Sequence, residues 1–165
     1  ANILLFLGPR LGLAPRAEAG RLWAHQLQLT VADFVLETHD THHPIAGSLY
    51  YEDQRPEAKR RAALFLRERV AKFLGYFEQV LSRSRGRWMT GGKLSYADLS
   101  VFQAIEGLRY AFPNATARRA FRYPRLMALR DSVASRPRIA RYLASDRRLP
   151  FNEMDIWRHS PELDR

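Results

Sequence analysis

The sequence predicts an all-α fold. Apolar residues recur at spacings of three and four over long stretches. Gly and Pro fall between those stretches. No segment shows the alternating β-branched run of a strand. A hydrophobic share of 46% over 165 residues is enough for the packed core of one ordinary domain.

Ala1 to Leu7 reads as the last turns of a helix, with Gly8-Pro9 as its stop. So short a helix has little stability of its own, so it reads as the end of something longer. Arg10 to Arg16 is a linker. The first long helix is expected from Ala17 to His39. Trp23, Leu27, Thr30/Val31 and Phe34 form one apolar stripe; Leu22, Leu29 and Leu36 form a second, so two buried sides are expected.

Asp40 to Arg55 is a loop punctuated by Pro44 and Gly47. Pro56 suits the first turn of the next helix, which runs to Ser82. Its seam is Ala63, Leu66, Val70, Phe73, Phe77 and Val80. Ser84 to Lys93 is a glycine-bearing loop.

Ser95-Tyr96-Ala97-Asp98 then has the form of a capping box, with Leu94 and Leu99 placed as a hydrophobic staple. The helix it opens, Tyr96 to Ala111, is apolar nearly all round and is expected at the centre of the bundle. Ser95 and Asp98 are therefore structural caps. Shorter helices follow Tyr123-Pro124 and Ser135-Arg136-Pro137. Asp146 to Arg165 reads as an extended tail with a turn near Asp155 to Arg158.

Several chemistries are excluded. There is no cysteine, so disulfides, thiolate metal sites and cysteine nucleophiles are absent. No apolar run approaches the roughly 18 residues that span a bilayer, so no membrane partner is expected. Ile3 to Leu7 has neither the flanks nor the length of a signal peptide. The formal charge is +10, carried almost wholly by arginine. Arg118 to Arg148, with Phe121, Tyr123 and Tyr142 interleaved, could bind nucleic acid. No recognition motif or repeat supports that, and nucleic acid is not an expected partner. His39, Asp40, His42 and His43 are dense enough to ligate a divalent metal. They straddle a helix end and precede a proline, so no metal is expected.

The ordered combination of helix end, linker and capping box resembles the C-terminal domain of cytosolic glutathione transferases. Gly92-Lys93-Leu94-Ser95-Tyr96-Ala97-Asp98-Leu99 is similar to the family's capping-box segment. Ala1 to Gly8 resembles the end of the last helix of its thioredoxin-like domain, and Gly12-Leu13 its interdomain linker. The resemblance divides the chain into residues 1–16 (helix end and linker), 17–145 (helical domain) and 146–165 (tail).

It implies a protein that conjugates glutathione to electrophiles. It also implies a cytoplasmic homodimer that uses glutathione as co-substrate and holds no tightly bound cofactor. The family's thiolate-stabilising and main glutathione-binding residues precede the position of Ala1. A fragment is therefore expected, with no catalytic residue in this chain. Asp33 matches the place from which an acidic residue reaches the glutathione amino group of the other subunit. By position, His42, His43, Tyr50 and Tyr51 border the pocket for the apolar electrophile.

Two residues of the central helix carry readings of their own. Glu106 reads first as a structural partner of Arg109 and second as a pocket acid; Tyr110 ends the same helix near the pocket wall. Phe151, Ile156 and Trp157 fold back over the pocket or pack outside the bundle. A non-catalytic assembly module of the same fold is the competing expectation.

Overall fold

The computed structural model describes residues 1–164; Arg165, the last residue of the expected tail, lies outside the described residues. Among the described residues eight α-helices follow one another: α1 (Asn2–Arg10), α2 (Glu18–His39), α3 (Arg55–Leu64), α4 (Val70–Arg83), α5 (Tyr96–Ala111), α6 (Pro113–Ala117), α7 (Pro124–Ala134) and α8 (Pro137–Leu143). Among the described residues there is no strand, only an isolated bridge between Trp88 and Gly91. The all-α expectation is met. None of the described helices is long and apolar enough to cross a membrane.

α5 is the central helix. It packs against α2 on one side and α7 on another, and α7 also meets α4. Val101, Phe102, Ala104, Ile105, Leu108 and Ala111 of α5 are buried, as its nearly continuous apolar surface requires. The capping box forms. The Asp98 carboxylate accepts from the Ser95 amide at 2.8 Å and the Ser95 hydroxyl at 2.7 Å. It also accepts from the Met89 amide at 2.8 Å, which ties the preceding loop to the helix start. The Tyr96 amide donates to Leu13 at 2.8 Å, so the linker is fastened to the same end.

Two local expectations need correction. Gly8-Pro9 does not stop α1, which continues through both to Arg10. Pro9 has no amide to return to the Leu5 carbonyl, and the chain turns soon after it at Gly12 with φ +68. Gly8 instead provides close approach: a Cβ there would lie 2.5 Å from the Tyr96 ring. The second stripe of α2 is not buried. Leu22, Leu29 and Leu36 are exposed, while Ala24, Leu27, Val31 and Phe34 face the core.

The second long helix is continuous but not uniform. A π-helical turn, Phe65–Arg69, joins α3 to α4. An extra residue in one turn rotates the apolar face. Ala58, Ala62 and Phe65 are buried before it, and Leu66, Val70, Phe73, Phe77 and Val80 from it onward. Ala63, expected in the seam, is therefore exposed. The Leu66 carbonyl, within the π turn, accepts from the Arg119 guanidinium at 3.2 Å.

Long-range carboxylates cap two further helices. Glu78 accepts from the amides of Arg125 and Leu126 at the start of α7 (3.1 and 2.9 Å). Asp164 accepts from Asn114 and Ala115 at the start of α6 (2.7 and 2.8 Å). Each satisfies amides that a helix start leaves without an internal partner.

Candidate functional site

The end of α2, the loop after it, the end of α5 and the tail converge. Gln54, fully buried, organises the loop. Its amide oxygen accepts from Ile45 at 2.9 Å and its nitrogen donates to Ala46 at 3.0 Å and Leu49 at 3.2 Å. The loop thus returns to α3 in a fixed path, which places Tyr50 and Tyr51.

His42 is buried at this junction. One ring nitrogen, Nε2, meets the Ile156 carbonyl of the tail at 2.9 Å; the other, Nδ1, meets His43 Nδ1 at 2.6 Å. Burial pulls the His42 imidazole down to about 4, helped by the charge of Arg158 and against the Ile156 hydrogen bond. His43 is lowered too, by burial and then by Arg158 and His39.

The tail meets two more of the expected residues. The Tyr51 hydroxyl donates to Glu162 at 2.9 Å. The Tyr110 hydroxyl donates to Glu153, and its ring stacks on Phe151 with centroids 5.1 Å apart. The His159 ring reaches the Ala111 carbonyl at 3.2 Å. Trp157 is buried against Phe34, with centroids 6.5 Å apart. The tail therefore folds back over the ends of α2 and α5.

Tyr50, by contrast, points outward and is highly exposed. Glu106 is paired principally with Arg130 of α7 at 2.7 Å; Arg109 stands off at 3.8 Å. The expected partner was Arg109, which the helical spacing suggested. Arg130 wins because its half-buried guanidinium meets the carboxylate at direct hydrogen-bond distance. Asp33 is exposed on the α2 face that also carries Leu29 and Leu36. Sequence reasoning missed Arg130, Glu153, Glu162 and Asp164. Each acts across more than twenty positions of chain, where no local pattern signals the pairing.

The structure also holds further open clefts. One of about 570 Å³ is lined by Trp23, Tyr76, Val80, Arg83, Met89 and Thr90, among others. Another of about 260 Å³ is lined by Leu99, Phe102, Ile139, Tyr142, Leu143 and Phe151, among others.

The described residues thus form an all-α domain: a helical bundle built around a buried, box-capped central helix and closed by a returning tail. The chain belongs to the glutathione S-transferase C-terminal domain family, whose model matches residues 39–146. It is similar to a glutathione S-transferase of Plasmodium yoelii yoelii, 30% identical over 87 residues, covering 53% of this chain and 40% of that protein. It is also similar to glutathione S-transferase A of Pleuronectes platessa, 33% identical, covering 58% of this chain and 41% of that protein.

Among solved structures, prostaglandin synthase D of Nilaparvata lugens superposes with a TM-score of 0.72. That match covers 90% of this chain and 68% of that one, at 21% identity, and speaks to the fold alone. A glutathione transferase of Burkholderia graminis, solved with two glutathione molecules bound per subunit, gives 0.57 at 26% identity, covering 89% of this chain and 59% of that one. The alignments span less than half the length of the curated relatives.

Proposed function

We propose that this chain is the helical, apolar-substrate-binding domain of a glutathione transferase whose complete protein conjugates glutathione to electrophiles. The family match over residues 39–146 carries the reading. In this reading residues 17–145 form the domain, residues 1–16 the end of a preceding helix and linker, and residues 146–165 the tail. The domain's contribution to rate is proximity and orientation of the electrophile against a thiolate held elsewhere.

His42, His43, Tyr51 and Tyr110 border the electrophile site under the returning tail, with Tyr50 at its outer rim. Their contacts with Ile156, Glu162 and Glu153 support this, because they make the tail a cover whose displacement opens the site. Glu106 is a structural partner of Arg130 in this reading. Asp33 reaches the glutathione ammonium of a second subunit in a homodimer. Its place on an exposed apolar stripe with Leu22, Leu29 and Leu36 supports that, since such a stripe is the kind of surface a partner covers.

Conjugation of 1-chloro-2,4-dinitrobenzene by the protein as its host produces it is the test. Saturable, glutathione-dependent product is expected. Asp33→Asn should raise KM for glutathione with little change in kcat. Tyr50→Ala should raise KM for the electrophile. Absence of any glutathione-dependent product, with no binding of S-hexylglutathione, sinks the reading. The same exposed stripe supports a second reading, a non-catalytic assembly module. A stable oligomer without activity would favour it.

A further inference from the structure

His39, His42 and His43 converge in a way their spacing alone does not demand. Each offers one ring nitrogen, and these three atoms all lie within 4.8 Å of one another. The ring centroids stand 4.8 to 5.2 Å apart. Helix α2 runs unbroken to His39, and a tight turn follows. The Thr41 amide bonds to Thr38, and the His42 and His43 amides both bond to the His39 carbonyl at 3.2 and 3.3 Å. That turn brings the two later rings back over the first.

The tail fixes the chemistry of the central ring. His42 Nε2 faces the Ile156 carbonyl, which can only accept, so Nε2 carries the proton. Nδ1 is left with its lone pair directed at the cluster. A carbonyl behind a histidine, setting its tautomer and ring orientation, is the outer-shell arrangement of metal-ligating histidines. His42 Nδ1 and His43 Nδ1 approach to 2.6 Å, two basic nitrogens sharing at most one proton. A cation at that point would replace the proton.

We propose that His39, His42 and His43 form a binding site for a first-row transition dication, Zn2+ foremost, at the C-terminal end of α2. Three imidazoles suit Zn2+, Ni2+ or Cu2+, and leave a fourth position for water or an exogenous ligand. The carbonyl end of a 22-residue helix adds a favourable field for a cation. Asp40, 3.7 Å from His39 Nδ1, adds a negative charge, part of it engaged by Arg61 at 3.7 Å.

Two features oppose the ion. Zn–N bonds of about 2.0–2.1 Å at a tetrahedral opening separate ligand nitrogens by roughly 3.3 Å, so His43 must draw back by somewhat under 1 Å. His43 is only half-buried and free to do so. Arg158 lies close enough to repel positive charge at His42 and His43. Its guanidinium is held by the carbonyls of Asp155 and Met154, at 3.0 and 3.2 Å. Because Ile156 orients His42, a bound ion would also fasten the tail to α2. The site shares His42 and His43 with the proposed electrophile site, but ion binding itself needs no glutathione.

The test is titration of the chelator-treated full chain with Co2+, followed by displacement with Zn2+. One equivalent should bind with the visible d–d absorption of a four-coordinate ion, and Zn2+ should remove that signal and raise Tm. His39→Asn and His43→Asn, chosen because neither ring is fully buried, should each weaken binding at least about tenfold while circular dichroism stays unchanged. Arg158→Gln should tighten it. His25→Gln, outside the cluster, should have no effect. Lack of a d–d band overturns the proposal, as does binding that is unaffected by His39→Asn and His43→Asn. Loss of glutathione conjugation would bear only on the transferase reading.

Discussion

Trp157 rests on Gly107 so closely that a Cβ on the glycine would lie 2.1 Å from the indole Cδ2. One residue is in the tail and the other is in the C-terminal half of α5, fifty positions apart. The glycine costs helix propensity, about 1 kcal/mol relative to alanine. Here that cost is offset by burial of the largest side chain in the tail, which is only 7% exposed.

Gly107→Ala should therefore destabilise the protein in spite of its better helix propensity. The methyl group cannot share space with the indole, and the helix backbone cannot retreat, so the tail must. Overpacking of this kind costs typically about 1–3 kcal/mol. The direct measurement is tryptophan emission, which should shift to the red as Trp157 becomes wet. In a Trp157→Gly background the same alanine should be neutral or stabilising. An additive double mutant would show that the two residues do not meet.

Asp98→Ala should cost more than the loss of a helix cap alone. A cap is worth about 0.5–2 kcal/mol. The carboxylate also satisfies the Met89 amide, and leaving a buried donor unpaired costs about 1–3 kcal/mol. A total near 2–4 kcal/mol is expected from denaturant melts. Burial pushes the Asp98 carboxyl up, against the hydrogen bonds from Met89 and Ser95 that pull it down. Asp98→Asn, which keeps one oxygen acceptor, should recover part of the loss. Ser95→Ala should cost less, since Ser95 keeps its amide bond to the carboxylate.

Legibility followed sequence separation. The box at Ser95 and Asp98 could be read because its partners are three residues apart, and it formed. The extent of α2 was read to within a residue, since its core stripe is long and regular. The seam of the second helix was right from Leu66 onward and wrong at Ala63, because a π turn changes the phase and has no compositional mark. The burial of Leu22, Leu29 and Leu36 was misread because an apolar stripe says only that something covers it, not that this chain does. The tail was least legible. Its partners Tyr51, His42, Asn114 and Gly107 are set by distant packing, and no period in residues 146–164 encodes them.

Glu106 should couple to Arg130 more strongly than to Arg109. The Arg130 guanidinium is half-buried and at hydrogen-bond distance, while Arg109 is exposed and 3.8 Å away. Exposed pairs contribute about 0.2–1 kcal/mol. A double-mutant cycle of Glu106→Gln with Arg130→Met should give a coupling at or above the top of that range, near 1 kcal/mol. The cycle with Arg109→Met should give a few tenths at most. Equal couplings would mean that α7 is not held to α5 through this carboxylate.

The Tyr51–Glu162 bond sets an alkaline limit on the closed tail. Burial, then the hydrogen bond to Glu162 and its charge, push the Tyr51 hydroxyl from 10.0 up to about 12. The folded state holds that proton more tightly than the unfolded chain does. The stabilisation is therefore complete below pH 10.0 and is lost as the pH rises through about 12. Glu162 shifts the other way: its own backbone amide, and then the Tyr51 hydrogen bond, hold its carboxyl below the usual range. Its contribution is present above its ordinary value of 4.5 and is lost as the pH falls through the lowered one. Tyr51→Phe should remove about 0.5–1.5 kcal/mol at neutral pH. The variant's melting temperature should fall less steeply than the parent's between pH 10 and 12. Tyr96 and Tyr110 are also raised and titrate in both proteins, so the difference between the two curves isolates Tyr51. Parallel curves would mean that the hydroxyl is not bonded to the tail in solution.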